Sequence, residues 1–88
     1  MKHHSHPAII KRLKRAEGHL RSIITMIEEE RSCVDLAQQL HAVEAAIGNA
    51  KRELIHDHIE HCLDDRHAHS AADMRAQMKE LKSLSKYL

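Results

Sequence analysis

Apolar residues recur at steps of three and four along most of this 88-residue chain, which is the spacing of one face of an α-helix. The first such stretch predicts a helix from about Pro7 to Glu29, because proline suits the first helical position. Gly18 inside this helix weakens it by roughly 1 kcal/mol relative to alanine, which suggests a close backbone contact there. The predicted apolar face of the helix comprises Ile9, Leu13, Leu20, Ile23, Ile24 and Ile27.

A second, longer helix is predicted from about Cys33 to Leu63, after a break at residues 30–32. Ser32 suits the N-cap, and Asp35 three residues later completes a variant of the capping box. Small residues in the middle of this helix would let another helix approach closely. They are Ala45, Ala46, Gly48 and Ala50.

A polar loop at residues 64–69 precedes a third helix that extends to about Tyr87, with Ser70 as its N-cap and Asp73 three residues on. The chain shows no internal repeat and no domain boundary. We therefore expect one all-α domain of three helices over residues 1–88, with residues 1–6 as a flexible histidine-rich tail. The apolar face of the third helix comprises Met74, Met78, Leu81, Leu84 and Leu88.

Composition narrows the class of protein. The chain has no Trp or Phe and one Tyr, so its core must be aliphatic, and a chain this short gains from oligomerisation. We see no apolar run long enough to span a membrane and no signal peptide. The two cysteines are therefore expected to be reduced thiols of a cytoplasmic protein, in a metal or redox site.

The net charge of +1 conceals a basic segment at residues 11–21, in which Glu17 is the only acidic residue. A local basic patch on a near-neutral chain fits a DNA-contacting surface, while the alternative is a solvated helix face. The basic residues of the segment are Lys11, Arg12, Lys14, Arg15 and Arg21.

The candidate metal ligands lie at the end of the second helix. His58 and Cys62 are four residues apart, so they share one helix face and can bind one soft or borderline metal ion. His61 can join them, whereas His56 points elsewhere. The alternative is a solvated, histidine-rich helix end.

Cys33 precedes His58 by 25 residues, which is roughly 37 Å along one helix, so the two cannot meet within a chain. They can meet if two copies of the helix pack antiparallel and cross near residues 46 and 47. This predicts a two-fold dimer with one ion per protomer, each held by Cys33 of one chain and by His58 and Cys62 of the other. The alternative for Cys33 is a small buried hydrophobic residue.

The identity of the metal depends on how many nitrogen donors take part. Two thiolates and one imidazole suit three-coordinate Cu(I), whereas added nitrogens suit Ni(II) or Co(II). A free α-amine followed by His3 can chelate Ni(II) or Cu(II) in a square plane. With His3 and His61 available, we favour Ni(II)/Co(II) narrowly over Cu(I).

The chain resembles the CsoR/RcnR/FrmR repressors, a family of all-helical DNA-binding sensors of copper, nickel/cobalt or formaldehyde. The resemblance is carried by residues 11–19 (KRLKRAEGH), Cys33, residues 38–43 (QQLHAV) and residues 57–62 (DHIEHC). It implies an antiparallel dimer of helical hairpins and a flat homotetramer formed by two dimers. It also implies that the apo form binds operator DNA and that metal releases it, so that efflux or detoxification genes are transcribed.

The resemblance also implies roles for individual residues. Cys33, His58 and Cys62 match the Cys-His-Cys set typical of the copper sensors, and nickel sensors add a histidine from the tail. Persulfide sensors lack the histidine that matches His58, and formaldehyde sensors have proline where this chain has Lys2, which counts against both branches. The implied DNA contacts are Arg12, Lys14 and Arg15 and, more loosely, Lys11, Arg21, Lys51 and Arg52.

Two other classes of function fit the sequence less well than a DNA-binding repressor does. A metal buffer or chaperone would bind the ion without DNA, and the basic segment at residues 11–21 argues against it. An enzyme is excluded by the lack of a carboxylate–His–Cys arrangement, a glycine-rich loop or a Cys-x-x-Cys motif.

Overall fold

The structure, a computed structural model, describes the backbone of residues 6–62 and 70–88 and, except at Cys62, their side chains. These ranges form three α-helices, α1 (His6–Glu28), α2 (Cys33–Cys62) and α3 (Ala71–Leu84), and a 3-10 turn at Ser85–Tyr87. The predicted all-α fold is therefore confirmed. Residues 1–5 of the predicted tail, with His3, the end of the second helix at Leu63 and the loop at 64–69 lie outside the described residues. His6, predicted as the last residue of the tail, is instead the first residue of α1.

The helix starts follow from capping residues that the sequence identifies. The hydroxyl of Ser32 accepts a hydrogen bond from the backbone N–H of Asp35 at 3.1 Å, and α2 begins at Cys33 as predicted. Ser70 accepts a hydrogen bond from the N–H of Asp73 at 3.0 Å, which caps α3. Both predicted N-caps are confirmed, while α1 begins and ends one residue earlier than predicted.

The chain reverses direction after α1 through a left-handed residue, Glu30, whose φ is 59°. The N–H of Glu30 donates to the carbonyl of Ile27 at 3.0 Å, and the N–H of Arg31 donates to that of Met26 at 3.1 Å. This pair of bonds is the Schellman motif, which satisfies the last carbonyl groups of a helix. It turns the chain so that α2 can pack back along α1.

Helices α1 and α2 form an antiparallel hairpin with a narrow apolar seam. Residues early in α1 contact residues late in α2, as Arg12 contacts Glu53, and His19 farther along α1 contacts the earlier residue Gln39. Ile9, Ala16 and Ile23 of α1 recur at intervals of seven residues, as do Val43 and Ala50 of α2, which is the spacing of helices packed as in a coiled coil. Ile55, five residues after Ala50, lies off this spacing. The buried residues are Ile9, Ala16, Ile23, Val43, Ala50 and Ile55.

Much of the apolar face predicted for α1 remains uncovered within the protomer. Only Ile9 and Ile23 of that predicted face are buried. The other four residues of that face are exposed, and they lie beside apolar residues of α2 that are exposed as well. Each of these side chains in α1 and α2 is between 42% and 53% exposed. We call this set the apolar stripe: Leu13, Leu20, Ile24, Ile27, Leu40, Ile47 and Leu54. Helix α2 packs along one side of the apolar face of α1 and leaves the other side exposed.

One expectation about small residues needs correction. A Cβ atom built at Gly18 would meet nothing within 4 Å, so the predicted close backbone contact is wrong for the described protomer. Gly18 lies two residues after buried Ala16, which turns it to the far side of α1. Ala46 is half-buried and lines one groove with Ala16, so α1 is the helix that approaches it within the protomer, and the approach of a second chain stays a prediction.

The protomer is elongated. Its radius of gyration is 18.0 Å and its extents are 58 × 23 × 14 Å. A compact chain of this length would have a radius of gyration of roughly 12 Å. Helix α3 has no buried residue. Within the described ranges, no helix is both long and apolar enough to cross a lipid bilayer.

Candidate metal centre and nucleic-acid interface

The last turns of α2 place the predicted nitrogen donors side by side. His58 and His61 are both half-buried and lie three residues apart on the helix. The side chain of His58 is 15% exposed, and its Nε2 atom lies 3.3 Å from Oε1 of Glu80 on α3. His56 is exposed and borders a different groove with Asp57 and Glu60, which agrees with its predicted position away from the cluster.

The sulfur donors belong to opposite ends of α2. Cys62 is the last residue of this helix, four residues after His58, and its side chain lies outside the described part. Cys33 is the first residue of α2 and is exposed. Because α2 is one uninterrupted helix of 30 residues, Cys33 and His58 are separated by roughly 37 Å. The protomer thus brings His58 and His61 together but not Cys33.

The described residues do not complete a metal site within one chain. No group of three or more His, Cys, Asp or Glu side chains among them is arranged to hold a metal ion. The donor types nevertheless suit a copper or nickel ion, since both metals bind thiolate and imidazole ligands. A full site therefore requires donors that the described part of one protomer does not gather.

The sequence did not indicate Glu80 as part of this region. The contact with His58 depends on how α3 packs against α2, and no spacing within either helix encodes that packing. The only available signal was an acidic residue beside Leu81, at the edge of the apolar face of α3.

The basic residues predicted to contact DNA are all exposed, but they differ in their partners. Arg12 donates through Nη1 to Oε2 of Glu53 at 2.6 Å, and Arg21 lies 4.0 Å from Glu17. Arg52 donates to the side-chain oxygen of Asn49 at 2.5 Å. Among the described residues, five of these cations make no ion pair: Lys11, Lys14, Arg15, Lys51 and Arg52.

A groove of about 300 Å³ lies between α1 and α2 beside this basic surface. One of its lining residues, His19, donates through Nε2 to the side-chain oxygen of Gln39 at 2.5 Å. The Arg12–Glu53 and His19–Gln39 pairs occupy seam positions between the buried residues. The seven-residue spacing of Ile9, Ala16 and Ile23 was a sequence signal that a second helix packs along α1, but it does not identify the partners of Arg12 and His19. The groove is lined by Arg12, Arg15, Ala16, His19, Ala46 and Asn49.

Comparison with known proteins gives a family model and several relatives. The family model for metal-sensitive transcriptional repressors matches residues 5–87. The copper-sensing transcriptional repressor CsoR of Bacillus subtilis is 47% identical over 57 residues, which cover 65% of this chain and 56% of that protein. The copper-sensing repressor RicR of Mycobacterium tuberculosis is 42% identical over 53 residues, covering 60% and 55%. The chain spans about half the length of the curated relatives it matches.

A solved structure is similar over the entire chain. The nickel-responsive transcriptional regulator InrS superposes with a TM-score of 0.80 at 29% identity, covering 100% of this chain and 98% of that one. The relatives found by sequence are thus copper sensors, whereas the relative found by structure responds to nickel.

Proposed function

This chain belongs to the family of metal-sensitive transcriptional repressors, and from that premise we propose that its apo form binds operator DNA and that metal binding releases the DNA. Release would derepress genes for metal efflux or resistance. The family consists of transcriptional repressors and not of enzymes. The observation that carries the proposal is the position of two candidate ligands, Cys33 and His58, at opposite ends of one continuous helix.

The metal would be held between two chains. Cys33 of one protomer and His58 and Cys62 of another would form each site, with one ion per protomer. His61 and His3 are the further nitrogen donors. Because Cys33 is exposed at the helix start, a second antiparallel copy of α2 can present its His58 to the thiol.

The apolar stripe supports such a partner. Residues such as Ile24 and Ile47, at 53% and 48% exposure, are aliphatic and form a row with their neighbours along both helices of the hairpin. Contiguous exposed apolar surface of this kind marks an interaction site. We propose that a second copy covers the stripe to form a homodimer and that two dimers form a homotetramer.

DNA would bind mainly through its phosphates. The exposed cations of α1 and of the middle of α2 are the proposed contacts: Lys11, Arg12, Lys14, Arg15, Arg21, Lys51 and Arg52. The described helices contain almost no aromatic residue that could stack on bases. Binding should therefore weaken steeply as salt is raised, because phosphate contacts release counterions.

Metal can influence this surface through the ends of α2 and through α3. An ion at His58 would change the charge beside Glu80, and it would join the end of α2 in one chain to the start of α2 in the other. If metal weakens DNA binding, DNA must weaken metal binding by the same free energy, typically about 1–3 kcal/mol.

For the metal itself, we propose Ni(II) or Co(II), narrowly ahead of Cu(I). The nitrogen donors His3 and His61 support this choice, as does the likeness to a nickel-responsive regulator. The Cys-His-Cys core and the likeness to copper sensors support Cu(I).

Titration of the DNA-bound protein with each metal tests both the release of DNA by metal and the choice of metal. We expect Ni(II) to release DNA from the region upstream of the encoding gene and to produce thiolate-to-metal absorption bands in the visible. Deletion of residues 1–6 should abolish those bands. Release by Cu(I) alone, unaffected by the deletion, would overturn the choice of metal, and an apo protein that binds no DNA would indicate a metal buffer instead.

A further inference from the structure

The cation nearest to the seam of the hairpin, Arg12, is already bound to an oxyanion. Its Nη1 atom lies 2.6 Å from the Oε2 atom of Glu53, and the two side chains are 53% and 32% exposed. Water therefore reaches both partners, and an exposed ion pair of this kind is worth at most about 1 kcal/mol. The pair holds the guanidinium in place but leaves it open to exchange with another anion.

The groove beside Arg12 offers further donors to an oxyanion. Arg15 lines it and makes no ion pair in the part of the chain that the structure describes. The side chains of His19 and Asn49 line its other walls. A guanidinium fork fits phosphate oxygens as well as carboxylate oxygens, so an anion that binds Arg12 can also reach Arg15. At about 300 Å³ the groove is far larger than the roughly 10–15 Å³ that a site for one water molecule requires.

This groove and the apolar stripe lie on opposite sides of the hairpin. Arg15 is one residue before buried Ala16, about 100° to one side of it, whereas Leu20 is four residues after it, about 40° to the other side. The same relation holds on α2, where Asn49 and Ile47 diverge from Ala46 in opposite directions. A second copy that covers the stripe would therefore leave the groove accessible.

We propose that this groove is a binding site for one backbone phosphate of DNA and that Arg12 exchanges the carboxylate of Glu53 for that phosphate. The inference rests on the proposed repressor function and assigns Glu53 a role of its own. Glu53 competes with DNA inside the protein, so its carboxylate lowers the affinity for any duplex. A structural ion pair would have the opposite effect, because its loss would disturb the position of Arg12.

Replacement of Glu53 by glutamine separates these roles. A fluorescein-labelled duplex from the region upstream of the encoding gene is titrated with wild type, Glu53→Gln and Glu28→Gln over a series of salt concentrations. Glu28 is an exposed residue at the far end of α1 and makes no described ion pair, so its variant controls for the change in net charge. Circular dichroism of each variant confirms that the helices are retained.

We expect Glu53→Gln to bind the duplex about two- to fivefold more tightly than wild type, the factor that an exposed ion pair represents. The slope of log K against log salt should stay close to that of wild type, since Arg12 neutralises the same phosphate in both complexes. Glu28→Gln should change the affinity by less than Glu53→Gln does. In the Glu53→Gln background, Asn49→Asp should reverse the gain by placing a carboxylate in the groove.

Weaker or unchanged binding by Glu53→Gln, with wild type still releasing DNA on metal addition, would overturn the proposed phosphate-binding site and leave the repressor function intact. Failure of wild type to bind the duplex would instead overturn the function. A second probe, inorganic phosphate without DNA, distinguishes a free-anion site. Saturable NMR shift changes at Arg15 and Asn49 at micromolar phosphate would overturn the assignment to DNA, and their absence supports it.

Discussion

The Nε2 atom of His58 on α2 lies 3.3 Å from the Oε1 atom of Glu80 on α3. The histidine is 15% exposed and the glutamate 57% exposed, so the contact sits at the edge between the two helices. Metal-binding histidines commonly donate their second ring N–H to a carboxylate, which fixes the ring orientation and makes the ligand more basic. A metal that binds His58 through Nδ1 would leave Nε2 beside Glu80, so that Glu80 could take this role.

Substitution of Glu80 by glutamine should therefore weaken metal binding without removing a ligand. We expect the affinity for Ni(II) or Cu(I) to fall by about 10- to 100-fold, the range typical of a lost carboxylate partner of a metal-bound histidine. Competition with a chelator of known affinity measures the change. DNA binding by the apo protein should remain close to that of wild type, because Glu80 lies outside the proposed DNA surface.

Glu60→Gln is the matched control for this variant. Glu60 lies two residues from His58 on the same helix, is exposed and has no described contact with the histidine. Its loss changes the local charge equally but leaves the His58–Glu80 contact in place. Equal losses of affinity in both variants would show that net charge, and not this contact, supports the metal.

Mixed dimers test whether each site is built from two chains. Cys33→Ala and His58→Ala protomers should each bind metal poorly alone. A heterodimer of the two variants contains one site in which both chains supply intact donors, and one site that has lost both. We therefore expect purified heterodimers to bind one ion, against two in a wild-type dimer, as measured by elemental analysis after co-expression with two affinity tags.

A site confined to one chain predicts a different result. In that case every protomer of the heterodimer carries one damaged site, so the heterodimer would bind no more metal than either parent variant. That outcome would remove the antiparallel dimer from the proposal. His56→Ala serves as the control, because His56 borders a separate groove and should leave metal binding unchanged.

Local features of the fold could be predicted from the sequence because they depend on a few adjacent residues. The N-caps at Ser32 and Ser70 each need only one hydroxyl and the N–H three residues later, and both form as expected. The separation of Cys33 from His58 likewise needed only the continuity of one helix, which the structure shows.

Contacts between helices could not be predicted in the same way. Ile9 and Leu13 are equally apolar and belong to the same predicted face, yet Ile9 is buried at 5% exposure and Leu13 is 43% exposed. Only the position of α2 decides between them. The Arg12–Glu53 and His58–Glu80 contacts depend on the same tertiary packing, so a helix-by-helix reading of the sequence missed them.

The apolar stripe should control assembly. A glutamate in place of Ile24 would bury a charge if a second copy covers the stripe, so we expect Ile24→Glu to be monomeric at concentrations where wild type is oligomeric. Sedimentation velocity measures the difference. Thr25→Glu is the control, because Thr25 is the next residue, is exposed and points away from α2. Dissociation of both variants would show that added negative charge, and not the stripe, is responsible.

The turn between α1 and α2 should be open to stabilisation at Glu30. Its φ of 59° costs a residue with a Cβ atom about 1–2 kcal/mol, and glycine avoids this cost but adds about 0.5–1 kcal/mol of unfolded-state entropy. Glu30→Gly should therefore raise the free energy of unfolding by about 0.5–1 kcal/mol, measured by urea denaturation at fixed protein concentration. Glu28→Gly, in the last turn of α1, should lower it instead, because glycine weakens a right-handed helix. A Glu30→Gly variant no more stable than wild type would show that the left-handed turn carries no strain.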